Sequence, residues 1–98
     1  MKREQIIVKL RQHEAELKRE GIVRLSLFGS VARNDASAGS DVDLMAEFDA
    51  AKKFTILSRV HLENRIADML GMKVDLAHVA MLRDGIRERA IREAVLVF

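Results

Sequence analysis

Apolar positions along the chain follow two rhythms, and the alternation between them predicts the elements. Between residues 2 and 20, Ile6, Ile7, Leu10 and Leu17 recur at helical spacing among charged neighbours, and Gly21 follows as a C-terminal cap. Residues 22–28 change to branched and apolar side chains at a period of two. Val23, Leu25 and Leu27 then fall on one face of a strand that Gly29 and Ser30 cut off. Residues 30–34 leave room for a short helical turn, residues 35–40 form a small polar loop, and strand character returns over 41–48. A helix is predicted over 55–70, with Leu62, Ile66, Met69 and Leu70 on one stripe and Gly71 closing it. Residues 73–79 read as a third short strand. Leu82, Ile86, Ala90 and Ile91 mark the core face of a last helix over 81–94, ahead of an apolar tail at 95–98. The order predicts an α/β (α+β) fold, a small mixed sheet of about three to four strands flanked by helices.

Composition narrows what such a fold can do. With 98 residues and 49% apolar side chains, the expected organisation is a single domain over residues 1–98 with a modest core. There is no apolar run of membrane-spanning length, and the charged start MKREQ is not followed by a long apolar stretch. Neither a membrane span nor a signal peptide is predicted, and the expected location is cytoplasmic. The absence of cysteine excludes disulfides, thiolate metal sites and cysteine nucleophiles. Seventeen basic residues against fifteen acidic ones leave a net charge of +2. That is not the one-sided basic footprint of a nucleic-acid-binding domain, so no direct nucleic-acid contact is expected.

Candidate chemistry is concentrated in LFGSVARNDASAGSDVDL, residues 27–44. In a strand, residues two apart project from the same face, so Asp41 and Asp43 point together while Val42 and Leu44 enter the core. Two adjacent carboxylates repel, and a divalent cation with hard oxygen ligands relieves that repulsion. Asp75, in KVDLAHV, sits between Val74 and Leu76 in the same pattern as Asp43; if the strands are neighbours, the three acids converge. Gly29 after a strand lets backbone approach a ligand, and the N–H groups of the following turn attract phosphate oxygens. Ser30 and Ser40 can donate further hydrogen bonds, and Arg33 can reach either a phosphate or a structural carboxylate. Phosphate donors beside clustered acids point to phosphoryl or nucleotidyl transfer, in which paired metal ions stabilise the attacking and leaving oxygens. Taken singly, each feature has a plain structural explanation, since Gly-Ser is a common turn and acids at strand edges discourage aggregation. Their joint occurrence in strand, turn and helix context carries the functional reading.

These residues also resemble a known family. Residues 27–33, LFGSVAR, followed by residues 40–44, SDVDL, are similar to the signature of the DNA polymerase beta nucleotidyltransferase superfamily, and the short length resembles its minimal (MNT) members. The likeness extends through the helix after Phe54, the VDL at 74–76 and the EAVLVF end, across nearly the whole chain. It implies the polymerase-beta-like nucleotidyltransferase fold, Asp41 and Asp43 as Mg²⁺ ligands, and Asp75 as the third carboxylate, completing the site and activating the acceptor hydroxyl. It also implies that Gly29 and Ser30 hold a nucleoside triphosphate. One departure is Asn34, where such proteins commonly have glycine; asparagine tolerates positive φ better than most side chains.

MNT proteins are commonly paired with a HEPN partner that resembles an RNase toxin, so the resemblance implies an antitoxin that transfers AMP from ATP to a tyrosine hydroxyl of that toxin in a hetero-oligomer. The chain has no tyrosine, so such an acceptor has to lie on another protein. A small domain offers few walls to a ligand, and a partner or second protomer is expected to complete the site. Two alternatives stand beside this one: an antitoxin acting by occlusion without needed catalysis, and a small-molecule transferase resembling those that inactivate aminoglycosides. The second ranks lower because such enzymes carry a further domain for the acceptor. His13, His61 and His78 have no companions at ligand spacing. Arg83, Arg87, Arg89 and Arg92 alternate with acids in the manner of a solvated helix face, and an exposed arginine stripe there could also dock an acidic partner.

Overall fold

A four-stranded sheet in the order β3-β2-β1-β4 organises the computed structural model, which describes residues 2–35 and 39–98. In chain order the elements are α1 (Arg3–Gln12), α2 (Glu14–Arg19), β1 (Ile22–Phe28), α3 (Gly29–Ala32), β2 (Val42–Phe48), α4 (Ile56–Leu70), β3 (Val74–His78), a 3₁₀ turn (Val79–Met81), α5 (Asp84–Glu93) and β4 (Val95–Leu96). Strand β1 pairs antiparallel with β2 and β4, whereas β2 and β3 are parallel and joined across α4. A parallel pair needs such a crossover, and the helical period of residues 56–70 supplies it. Thr55 caps α4 by accepting a hydrogen bond from Ser58 N–H, and Gly71 ends it in the left-handed conformation at φ 66°.

One face of the sheet carries the core. Leu25, Leu27, Val42, Leu44 and Leu76 pack there against Ile6, Leu10, Leu17, Leu62, Ile66 and Leu70 from α1, α2 and α4. The apolar tail becomes β4 and its extension: Val97 is buried, its N–H donates to the Leu25 carbonyl at 2.8 Å, and Arg11 Nε donates to the Val97 carbonyl at 2.6 Å.

Three expectations change in detail. The single helix over 2–20 is two helices broken at His13, whose N–H bonds to the Leu10 carbonyl three residues back. Val23 does not share a face with Leu25 and Leu27: the β1–β2 register shifts between Ile22 and Arg24, so Ile22 is buried and Val23 is exposed. A bulge of this kind adds one residue and reverses the alternation before it. In α5 only Ala90 is buried, while Ile86 and Ile91 are exposed, because this helix borders the sheet instead of covering its core face. Of the polar loop expected over 35–40, residues 36–38 lie outside the described residues.

Candidate active site

The site forms where β1 ends and β2 and β3 begin. Phe28 is the registered partner of Asp43, and Asp43 is the registered partner of Asp75, so the two acids stand beside each other on neighbouring strands. The next residue after Phe28 is Gly29, at φ +73°, a conformation that disfavours side chains. A Cβ at that position would also collide with the Asp43 carboxylate, lying 3.2 Å from its Cγ. Glycine is therefore favoured on two counts, and its absent side chain is the space that Asp43 occupies. Ser30 follows in α3. The turn closes at Asn34, which adopts φ 65° as its residue type allows.

Burial pushes the Asp43 carboxyl above its ordinary range, and the charges of Asp75 and then Asp41 push it further, against a smaller opposing effect of Arg33. Asp41 itself is exposed and stands just ahead of β2. Asp75 and Asp41 thus both act electrostatically on Asp43. Among the described residues, however, no group of three or more histidine, cysteine, aspartate or glutamate side chains is arranged to hold a metal ion. Asp75 already has a cationic partner: its Oδ1 lies 3.3 Å from the Arg59 guanidinium. The donor set still suits a hard divalent cation, since crowded carboxylate oxygens are its preferred ligands.

Arg59 and its neighbour Glu63 were invisible as site residues in the sequence. Arg59 Nε donates to the Leu76 carbonyl at 2.8 Å, and Glu63 accepts from Leu76 N–H at 2.8 Å. Two α4 side chains thus satisfy the outer edge of β3, and one of them continues to Asp75. Their i,i+4 spacing was a visible signal of a helix-surface pair, but its target, thirteen to seventeen residues away in sequence, was not.

Arg33 takes the carboxylate alternative. Its Nε meets Asp35 at 3.3 Å and a terminal nitrogen donates to Glu93 of α5 at 3.1 Å, with the Asp35 hydrogen bond first among the contacts that raise its pKa. Ser40 is partly buried immediately before Asp41. The histidines are dispersed: His13 contacts Glu16, His61 lies near Glu20, and His78 packs edge-on to Phe48 and Phe54. Arg83, Arg87, Arg89 and Arg92 are all exposed.

A mixed sheet with this glycine and carboxylate junction at one end defines a class of group-transfer protein, and comparison with known proteins supplies the family. Residues 10–97 match the family model of the nucleotidyltransferase domain, and the chain belongs to that family. It is 35% identical over 89 residues to the protein adenylyltransferase MntA of Thermococcus cleftensis, covering 90% of this chain and 88% of that protein. A solved structure provisionally named a minimal nucleotidyltransferase superposes with a TM-score of 0.83 at 33% identity, covering 97% of this chain and 95% of the other. The fold is shared more distantly with a structure described as a tri-AMPylated Shewanella oneidensis HEPN toxin in complex with an MNT antitoxin. There the TM-score is 0.61 at 17% identity, over 90% of this chain and 71% of the other. The polymerase-beta-like fold expected from the motif is borne out, and the chain is a nucleotidyltransferase. Among the described residues no helix is long and apolar enough to cross a membrane.

Proposed function

We propose that the chain, acting as one domain over residues 1–98, transfers AMP from ATP to a tyrosine hydroxyl of a HEPN-domain toxin and so serves as its antitoxin. The observation that carries this reading is the junction of Gly29 with Asp43, beside Asp75 in register. It sets a side-chain-free turn, suited to a triphosphate, against a carboxylate whose ionisation is already opposed by its neighbours. The 35% identical relative named a protein adenylyltransferase, and the fold shared with a structure of an AMPylated HEPN toxin and its antitoxin, support the same reaction.

In this mechanism Gly29 backbone and the Ser30 and Ser40 hydroxyls hold the triphosphate, and Arg33 exchanges a carboxylate partner for a phosphate. Asp41, Asp43 and Asp75 would hold Mg²⁺, as a pair of ions, which when bound supplies charge neutralisation for the attacking and leaving oxygens. Asp75 accepts the proton of the acceptor hydroxyl. The hydroxyl oxygen then bonds to the α-phosphorus as the bond to pyrophosphate breaks, and Arg59 fixes where Asp75 stands for that step.

The test combines the chain with the HEPN protein, ATP and Mg²⁺ and records the intact mass of the HEPN protein. Gain of one or more AMP units is expected, falling by more than about 100-fold in Asp41→Ala and Asp43→Ala, beyond the loss typical of residues that only orient a metal ligand. If the variants label as fast as the parent, the metal assignment fails. If no label appears yet both variants neutralise the toxin, occlusion replaces catalysis.

A further inference from the structure

The register sorts the second face of the sheet into rungs. Directly paired residues share a face, so Asp75, Asp43 and Phe28 form the first rung, Ala77, Met45, Ser26 and Leu96 the second, and Glu47 and Arg24 the third. Helix α5 and the 3₁₀ turn border the second and third rungs, and between them remains a groove of about 310 Å³. Met45 and Ser26 line it with Leu96, Ile91 and Arg87. Exposed apolar residues are ordinary when scattered. Here Ile91 and Leu96 are 52% and 49% exposed and flank one groove, and Met45 in its lining stands on β2 one rung from the Asp43–Asp75 pair.

We propose that this groove seats the acceptor: an aromatic side chain of the partner protein lies over Met45 between Ile91 and Leu96, and its phenolic hydroxyl reaches the first rung at Asp43 and Asp75. The inference rests on the protein adenylyltransferase reading and deepens it by naming the residues that choose the acceptor. Length decides for a phenol. Two residues along a strand advance by roughly 7 Å, comparable to a phenolic side chain, whereas a serine or threonine hydroxyl leaves the groove empty when its oxygen is at the aspartates. The lining agrees with a ring, since a thioether contacts aromatic edges favourably and a guanidinium such as Arg87 stacks on aromatic faces. The mixed charges of Glu47 and Arg24 beyond it meet the polar backbone that flanks the ring. In the reaction, the phenolic oxygen bonds to the α-phosphorus, pyrophosphate leaves, and the phenolic proton passes to Asp75.

Initial rates of AMP transfer to the HEPN protein test this, with ATP and Mg²⁺, for Ile91→Ala, Ile91→Glu and Leu96→Glu. Val8→Glu, equally exposed at 54% on α1 and outside the groove, is the control. Loss of an apolar pocket contact should raise the KM for the acceptor about tenfold in Ile91→Ala, and more in the charged variants. The KM for ATP and the unfolding midpoint should stay within about twofold and a few degrees of the parent, and Val8→Glu should behave as the parent. Normal acceptor KM in all three groove variants, with the parent active, overturns the groove and leaves the enzymatic reading intact. A parent that labels no protein overturns both. Replacing the labelled tyrosine by serine should abolish transfer; undiminished labelling of the serine would refute selection by length.

Discussion

Strand β2 presents two different molecules to its two sides. Val42, Leu44 and Ala46 face a sealed interior at 0%, 0% and 1% exposure, packed against helices. Asp43, Met45 and Glu47, the residues between them, face a side that is only bordered by α5 and carries the carboxylates and the groove. The comparison separates what burial dictates from what chemistry dictates within seven residues of chain. On the closed side any apolar residue of suitable volume serves; on the other, identity matters position by position, and Gly29 is the clearest case because the Asp43 carboxylate fills its place.

The largest expected effect lies on the closed side. Leu44→Ala should cost about 2–5 kcal/mol in denaturant unfolding, since its neighbours close incompletely on the cavity. Val23→Ala, on the side to which the bulge turned it, should cost less than about 0.5 kcal/mol, as exposed substitutions do. Comparable losses at both sites would mean that Val23 packs with Leu25 and Leu27 and that no bulge separates them.

Next in size is the edge of the comparison, where α4 reaches around β3. Arg59→Ala frees Asp75 from its ion pair and should lower AMP transfer about 10- to 100-fold, the range for partners that orient metal-binding carboxylates. Arg59→Lys should recover only part of the rate, because an ammonium cannot make both the Leu76 and Asp75 contacts in one plane. A positioning role also predicts a shift in the Mg²⁺ concentration for half-maximal rate. An unchanged Mg²⁺ dependence would reduce Arg59 to a cap on the β3 edge.

These two tests fall on opposite sides of what the sequence made legible. Leu44, Leu62, Ile66 and Leu70 announced their burial by period alone, and Gly29, Ser30, Asp41, Asp43 and Asp75 announced a candidate site by motif, of which the structure brings Gly29, Asp43 and Asp75 together. Val23 was misplaced because a bulge is a tertiary accommodation with no period of its own. The face of α5 was misjudged because its amphipathic spacing is real while its cover is absent among the described residues; spacing reports an apolar stripe and not what lies against it. Arg59 was missed because its contacts depend on where β3 sits beside α4, a relation that sequence distance hides.

The smallest effect is the sharpest test of the open side's chemistry. Asp43 has its carboxyl raised, by burial first and by Asp75 and Asp41 next, above the ordinary value of 3.8. Its charged form is therefore less favourable in the folded chain than in the unfolded one. The resulting loss of stability is absent below about 3.8, where both states hold the proton, and is complete once pH has risen through the folded-state value. Without divalent cations, Asp43→Asn should accordingly melt slightly higher than the parent at pH 7, and this advantage should shrink toward nothing as pH falls to about 4. Mg²⁺ should then reverse the order at pH 7, raising the parent's Tm and leaving that of the variant unchanged, because a bound cation stabilises only the carboxylate that can hold it. A variant that melts below the parent at pH 7, with the deficit vanishing as pH falls to about 4, would show that Asp43 is stabilised by its surroundings as an anion, and the repulsion assigned to the open side would have no physical basis.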